Sequence, residues 1–453
     1  MFSVSSVGQI PFVSSPYPRG AFNSHWFNLF NAIAFQVMMG APIVLFAKSL
    51  DASSTVVGII AAFTPLMTVM QLPAARFLDR YTYRQFVLSG WGLRTVFIYL
   101  VAVIPLLGFL DNASKMAVLL AALFIFNLLR GISSAGWMPW IAAIIDEPVR
   151  GRFLARDQLF TYTGSLLSLL ACAFVMRGHV EPWEFSVVFL ISAAGGSASL
   201  WFIKRIPDAP AGETMSRSAQ PVPWLAIVGH PPFLRLLGFN LLFMAVIGSL
   251  SVFTVEYLKE YQHFDANLVL MLSGVAFIGP ILSLMLTARI IDRVGSKPIL
   301  RAALAIFALV LTGWLLIAGG VLPCSVPIVT ALNFLTGLAA ANFNVANTRI
   351  MMATMPEMGR NHFFAMFTVI TSLGLGAAPV MWGVTLDAIG GYELATGWFT
   401  WRRHSVYFAV LLLLDVVAFV AVNWLREAKR AEDRAEGNVV AGRMRRLSRI
   451  WMR

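Results

Sequence analysis

Charge is what this sequence lacks most. Asp, Glu, Lys and Arg make up 12% of its 453 residues, about half the share found in soluble domains. A water-facing surface cannot be built on that supply. The 35 Phe, the 13 Trp and a mean hydropathy of +0.75 would leave it greasier still. Cysteine is nearly absent, and Cys172 and Cys324 stand in different halves, so no disulfide framework is expected. No glycine-rich phosphate loop precedes a helix, which argues against ATP-driven work. His25, His179, His230, His263, His362 and His404 fall at the ends of apolar runs or between them. No zinc motif and no Ser–His–Asp set stands out, so neither a metal, a cofactor nor enzymatic catalysis is expected. Residues 1–24 lack a charged n-region ahead of a short apolar core, so the first apolar run is expected to stay as an uncleaved anchor.

What is present is apolar sequence in continuous runs of about 20 residues, the length of a spanning helix. The short alternating strands of a barrel are missing, and only helices or closed barrels satisfy their backbone inside lipid. The expected fold is therefore an all-α polytopic membrane protein. Spans are placed near 25–47, 55–75, 86–108, 116–142, 158–177, 182–203, 233–256, 267–288, 298–320, 327–350, 362–389 and 404–425. Twelve spans put both ends on one side. Lys48, Lys115, Arg177, Lys259, Arg402 and Arg403 fall on the other side, Arg94 and Arg130 fall inside spans, and every remaining basic residue lies with the termini. The positive-inside bias then predicts a multi-pass protein of the cytoplasmic (inner) membrane with both termini in the cytoplasm. The net charge of +12 is topology, and no nucleic-acid partner is expected.

The charge that does occur is repeated. "ARFLDRYTYRQ" (75–85) and "ARIIDRVGSKP" (288–298) align Ala75 with Ala288, Arg76 with Arg289, Asp79 with Asp292, Arg80 with Arg293 and Arg84 with Lys297. "FNL" at 27–29 recurs at 239–241, and "NLLRGISSAG" (127–136) lies over "NFLTGLAAAN" (333–342). Two related six-helix halves explain this most simply. The expected organisation is an N-terminal cytoplasmic segment 1–24, a bundle 25–203, a Pro- and Ser-rich cytoplasmic linker 204–232, a second bundle 233–425 and a basic cytoplasmic tail 426–453.

Two six-helix halves of like orientation, related about the membrane normal, resemble the major facilitator superfamily. The loop after span 2 is similar to that superfamily's signature, G-x-x-x-D-R-x-G-R-R/K. Asp79, Arg80 and Arg84 match it, whereas Ala75, Thr82 and Tyr83 depart from it. The second copy keeps Asp292, Arg293, Gly295 and Lys297. Arg130 stands where many members carry an intramembrane arginine, and "DEPVRGRFLARDQ" (146–158) resembles the loop between spans 4 and 5, with Arg150-Gly151 at its core. The resemblance covers nearly the whole chain. It implies two pseudo-symmetric six-helix bundles and a secondary transporter that moves a small-molecule solute by alternating access. Asp79, Arg80, Arg84, Asp292, Arg293 and Lys297 would then gate the cytoplasmic side. The plainer reading of those charges is anchorage of helix ends to lipid headgroups.

Polar residues inside spans are the candidates for the pathway. A guanidinium at the depth of Arg130 costs at least ~2.5 kcal/mol, so it needs a cavity or a partner. Arg94 poses the same question on a peripheral span, where packing is the simpler answer. Asn31, Gln36, Asn127, Asn240, Asn333, Asn344 and Asn347 lie on spans 1, 4, 7 and 10, which line the pathway in the family's fold. Some of these amides are expected to glue helices together instead. Asp415 is the carboxylate placed near the midplane, a candidate for proton coupling or for a packed or Arg-paired role. Glu256 and Asp387, near external helix ends, read as ordinary interfacial groups. Arginine in excess of carboxylate within the spans points to a neutral or anionic organic solute. Met351, Met355 and Met358 share a face if their helix continues, which suits Cu(I), though methionine stripes mostly pack. The tail sets Arg443, Arg445, Arg446, Arg449 and Arg453 around Leu447, Ile450 and Trp451, a pattern for lying on anionic membrane lipids or for a solvated tail. The competing function is a receptor or assembly factor that kept the fold and lost the flux.

Overall fold

The computed structural model describes residues 17–178, 180–209, 229–284, 294–354 and 360–425. Among them are twelve helices long and apolar enough to cross a membrane. Span 1 is Asn23–Ser49, span 2 Ser54–Ala75, span 3 Tyr83–Leu106, span 4 Asn112–Ile144, span 5 Val149–Val175 and span 6 Pro182–Ile203. Span 7 is Pro231–Glu260, span 8 Ala266–Leu284, span 9 Ser296–Ala318, span 10 Val326–Thr354, span 11 Phe363–Ile389 and span 12 Arg403–Trp424. Residues 17 and 425 share one face, called terminal below; the other is distal.

Local chemistry sets the ends. Ser53 opens span 2 by accepting the Val56 N–H at 3.3 Å, and Asp111 opens span 4 by accepting that of Ser114 at 3.3 Å. Thr82 and Gln85 form a reciprocal capping box before span 3. Hydrogen bonds from Ser114 hold the exposed Asp111 carboxyl below its usual range. The loop expected over 146–158 is instead helical, because the helix of span 5 begins at Glu147. Arg150 there closes the preceding helix, its guanidinium donating to the carbonyls of Ala142 at 2.9 Å and Ile145 at 3.0 Å. Span 1 is two helices, Asn23–Met39 and Ala41–Ser49, broken at Gly40, whose backbone is extended. A Cβ on Gly40 would strike the Gln36 side chain.

One non-helical element was not legible in the sequence. Strands β1 (Glu393–Thr396) and β2 (Phe399–Arg402) pair antiparallel between spans 11 and 12. Gly397 turns the hairpin at a φ of +60°, which glycine adopts without steric cost. The hairpin is pinned by the Thr400 N–H, which donates to the Gly319 carbonyl at 2.9 Å.

The packing repeats in the two halves. Span 1 lies against spans 5 and 6, as span 7 lies against 11 and 12, and span 3 joins 4 and 6 as span 9 joins 10 and 12. The halves meet where span 2 packs on span 11 and, in the equivalent place, where span 8 packs on span 5. The fold is that of two pseudo-symmetric six-helix bundles. Close approach of spans 2 and 11 depends on missing side chains: a Cβ on Gly58 would meet the Pro379 carbonyl, and one on Gly383 the Ser54 carbonyl.

Candidate transport pathway and gates

The break in span 1 opens onto space between the halves. A cavity of about 240 Å³ is lined by Gln36, Gly40, Ser251, Thr254, Trp314 and Asn333 among others. A second, about 370 Å³, lies against Phe35, Thr64, Phe243, Met244 and Asn344. Met39, Ser251 and Val252 belong to both walls, so the two spaces are neighbours across the span 1–span 7 contact. The mixed lining of aromatic, thioether and neutral hydrogen-bonding groups suits a small organic molecule.

Of the expected pathway residues, Gln36, Asn333 and Asn344 line these cavities. The others serve contacts. Asn240 and Asn347, buried, exchange amide hydrogen bonds of 3.2 and 2.7 Å between spans 7 and 10. Asn127 sits behind the wall, donating to the Leu123 carbonyl at 2.8 Å and to the Met39 sulfur at 3.3 Å, and accepting from Thr64 at 2.8 Å. Asn31 accepts a hydrogen bond from the Arg94 guanidinium. Arg94 is 2% exposed, its guanidinium 5.0 Å from the centre of the Trp91 ring and 5.5 Å from that of Phe126. Arg130, half-buried, lies 4.5 Å from the centre of the Phe35 ring.

The distal side is closed by charge. Glu256, wholly buried, accepts from the Ser54 hydroxyl at 2.5 Å and lies 3.6 Å from Lys48 Nζ and 3.4 Å from Arg403. Glu260 completes the cluster, 2.6 Å from Lys48 and 3.3 Å from Arg403. Lys48 and Ser54 belong to the first half, the two glutamates and Arg403 to the second. Asp387 makes a second tie: its carboxylate accepts from the backbone N–H groups of Ser54 at 3.0 Å and Thr55 at 2.8 Å, and from the Thr55 hydroxyl at 2.6 Å. Glu256 and Asp387 are thus not ordinary interfacial groups. They join the halves over the cavity whose wall includes Thr254, Val255 and Leu258. Sequence reading missed them because both lie near span ends, where acids are common. Just outside span 7, burial raises the Tyr261 hydroxyl above its ordinary range against the opposing pull of Arg403, whose guanidinium sits 4.9 Å from its ring centre.

On the terminal side, Asp79 lies in the single turn Leu78–Arg80, its side chain outside the described part. Arg80 stands 5.7 Å from the centre of the Phe77 ring. Arg84 holds the segment after span 6, donating to the Ile206 carbonyl at 2.8 Å and approaching Asp208 at 4.0 Å. Trp140 donates to the Pro207 carbonyl in the same corner, at 2.8 Å. Lys297 reaches the Asn423 carbonyl at 3.4 Å. Asp292 and Arg293 lie outside the described residues, as do Met355, Met358 and the basic tail.

Three further placements bear on the sequence reading. Ser24, His25 and Asp157 do meet, yet as two donors on one carboxylate, at 3.0 and 2.5 Å. No Ser–His hydrogen bond occurs among them, so this is a tie between spans 1 and 5 and not a nucleophile with its base. Asp415 is fully buried, and among the described residues neither carboxylate oxygen has a hydrogen-bond partner, an Arg partner included. Cys172 and Cys324 are both free; burial pushes the Cys324 thiol up to about 11. Among the described residues, no group of His, Cys, Asp and Glu is arranged to hold a metal ion.

Comparison with known proteins bears on the whole assembly. The family model described as Major Facilitator Superfamily matches residues 25–326 and 248–452. A D-xylose-proton symporter superposes with a TM-score of 0.70 at 14% identity, covering 90% of this chain and 97% of its own. A mutant of the nucleoside transporter NupG gives 0.69 at 13% identity, covering 90% and 100%. The inward-open xylose transporter XylE from E. coli gives 0.65 at 14% identity, covering 91% and 96%. No curated protein matches by sequence. At such identities the likeness is one of fold.

Proposed function

The chain belongs to the major facilitator superfamily, and on that premise we propose that it is a secondary transporter moving a small neutral or anionic organic solute by alternating access. The observation that carries the reading is the sealed distal roof over a polar-and-aromatic cavity, at the break in span 1. A cavity between two bundles that is closed on one side by separable polar contacts is what a rocking mechanism requires. Opening would part Lys48 from Glu256 and Glu260, and Asp387 from the start of span 2.

On this reading both termini are cytoplasmic, in the inner membrane, as the basic residues on the terminal side support. The bundles are 25–203 and 233–425, joined through 204–232. Asp79 and Arg80, with Asp292 and Arg293, would close the cytoplasmic side in the opposite state. Arg84 and Lys297 fasten neighbouring segments. Gln36, Asn333 and Asn344 would meet the solute. Asp415, buried without a partner among the described residues, is the candidate for carrying a coupled proton, and the basic tail would rest on anionic lipid.

Purified protein in proteoliposomes, offered a metabolite panel with and without a pH gradient, tests this. Saturable uptake of at least one solute is expected. Absence of flux for the whole panel, in vesicles where the protein is folded, would favour the receptor reading instead.

A further inference from the structure

We propose that Arg94 and Arg130 form an oxyanion subsite at the edge of the larger cavity, taking the carboxylate or phosphate head of an organic anion whose apolar body lies in that cavity. As a cargo site this rests on the transport reading above; as a binding site it does not.

Both arginines lie deep within spans, and among the described residues neither forms an ion pair. The carboxylates closest to membrane depth in this half are already engaged. Asp157 is held by Ser24 and His25, and Glu184 accepts the Glu181 N–H at 3.0 Å in its own helix cap. The Arg94 guanidinium spends one N–H on the neutral oxygen of Asn31, and its Nε and Nη1, both buried, have no acceptor among the described residues. An arginine carries five donors, and burying them unpaired is costly. Among the described residues these two cations have no anion set against them, and an anion from outside the chain would supply the missing partner.

Geometry gives the ligand its shape. Asn31 and Phe35, the span 1 contacts of Arg94 and Arg130, are one helical turn apart, as are Phe126 and Arg130 on span 4. The two guanidinium groups therefore approach neighbouring turns of span 1, near enough for their charges to interact. The Trp91 and Phe126 rings both lie against the Arg94 guanidinium, at 5.0 and 5.5 Å from ring centre to its central carbon. A planar fork presented in this way matches a carboxylate or phosphate edge. The Phe35 ring against Arg130 is itself a wall of the 370 Å³ cavity, where Phe243, Met244 and Ile247 offer apolar contact.

The test uses the full-length protein and matched probes: benzoate, hexanoate and phenyl phosphate against benzamide, hexanamide and phenol. Binding is read from the thermal midpoint and from tryptophan emission, since Trp91 touches the site. At least one anion should raise the midpoint and change emission, the emission change should vanish in Trp91→Phe, and the neutral counterparts should do neither. Arg130→Gln should weaken anion binding at least tenfold and Arg130→Lys less; Arg94→Lys keeps a charge if Arg94→Gln does not fold. The proposal is overturned if no anion binds at millimolar concentration, if the neutral probes bind as well, or if Arg130→Gln leaves anion affinity unchanged. Flux of the same probes separates the two claims. Binding without flux counts against transport and leaves the site standing, whereas flux of neutral solutes without anion binding does the reverse.

Discussion

The carboxylate of Asp387, on span 11, caps the first turn of span 2 by accepting the Thr55 N–H at 2.8 Å and its hydroxyl at 2.6 Å. A helix N-terminus presents unpaired N–H groups and a partial positive charge. Here one bundle supplies that terminus and the other supplies its anion, so parting the bundles on the distal side would break the contact.

Replacing Asp387 with Ala should therefore shift the conformational balance without unfolding either bundle. A lost cap is worth about 1–2 kcal/mol, or a roughly 5- to 30-fold rise in the distally open population. A cysteine placed at Ser251, in a variant without the native cysteines, should then react faster with an impermeant thiol reagent from the distal side. An unchanged rate would mean that Asp387 does not hold the gate.

Glu256 is the more deeply buried acid of the distal contact. Glu256→Gln keeps the shape and the tie to Ser54 but leaves Lys48 and Arg403 to share Glu260. Breaking a buried pair by removing one partner costs about 3–5 kcal/mol. A lower thermal midpoint and a larger distally open fraction are expected, with partial recovery on adding Lys48→Met. Strict additivity of the two single substitutions would show that the pair is not coupled.

Gly58→Val tests the close approach of spans 2 and 11. The added side chain would collide with the Pro379 backbone, which cannot retreat without moving its helix. The bundles should fold but fail to close distally, giving high Ser251→Cys reactivity from that side and little transport. Normal flux at equal membrane abundance would show that the interface tolerates the wedge.

Asp79→Asn probes the opposite gate. On the proposed function, in which Asp79 and Arg80 would close the cytoplasmic side, loss of the carboxylate should abolish transport while leaving abundance and thermal midpoint near wild type. A variant that transports normally would return this cluster to the plainer role of anchoring helix ends.

Run length and composition made the twelve spans legible, because length and hydropathy are local properties that lipid reads directly. The repeat of Asp79-Arg80 in Asp292-Arg293 made the two-fold plan legible for a related reason: duplicated segments keep their order. Loop character was less secure. The charged stretch 146–158 looks like a connection, yet helix starts at Glu147 with a proline in its first turn, and Arg150 turns back to satisfy the carbonyls that end the helix before it. The hairpin at 393–402 escaped notice because its signal is a short turn at Gly397 fixed by a distant carbonyl.

The sequence by itself determined which residues enter the membrane, in what order, and how few charges go with them. It could not determine which side-chain amides face a cavity and which face each other. Gln36 and Asn333 line open space while Asn240 and Asn347 bind one another, though all four sit on apolar spans with similar neighbours. Nor could it join Ser54 to Glu256 across 202 residues. Such partnerships depend on how helices rotate and dock. That is fixed by close packing over whole faces, at positions such as Gly58, where an absent side chain admits another backbone.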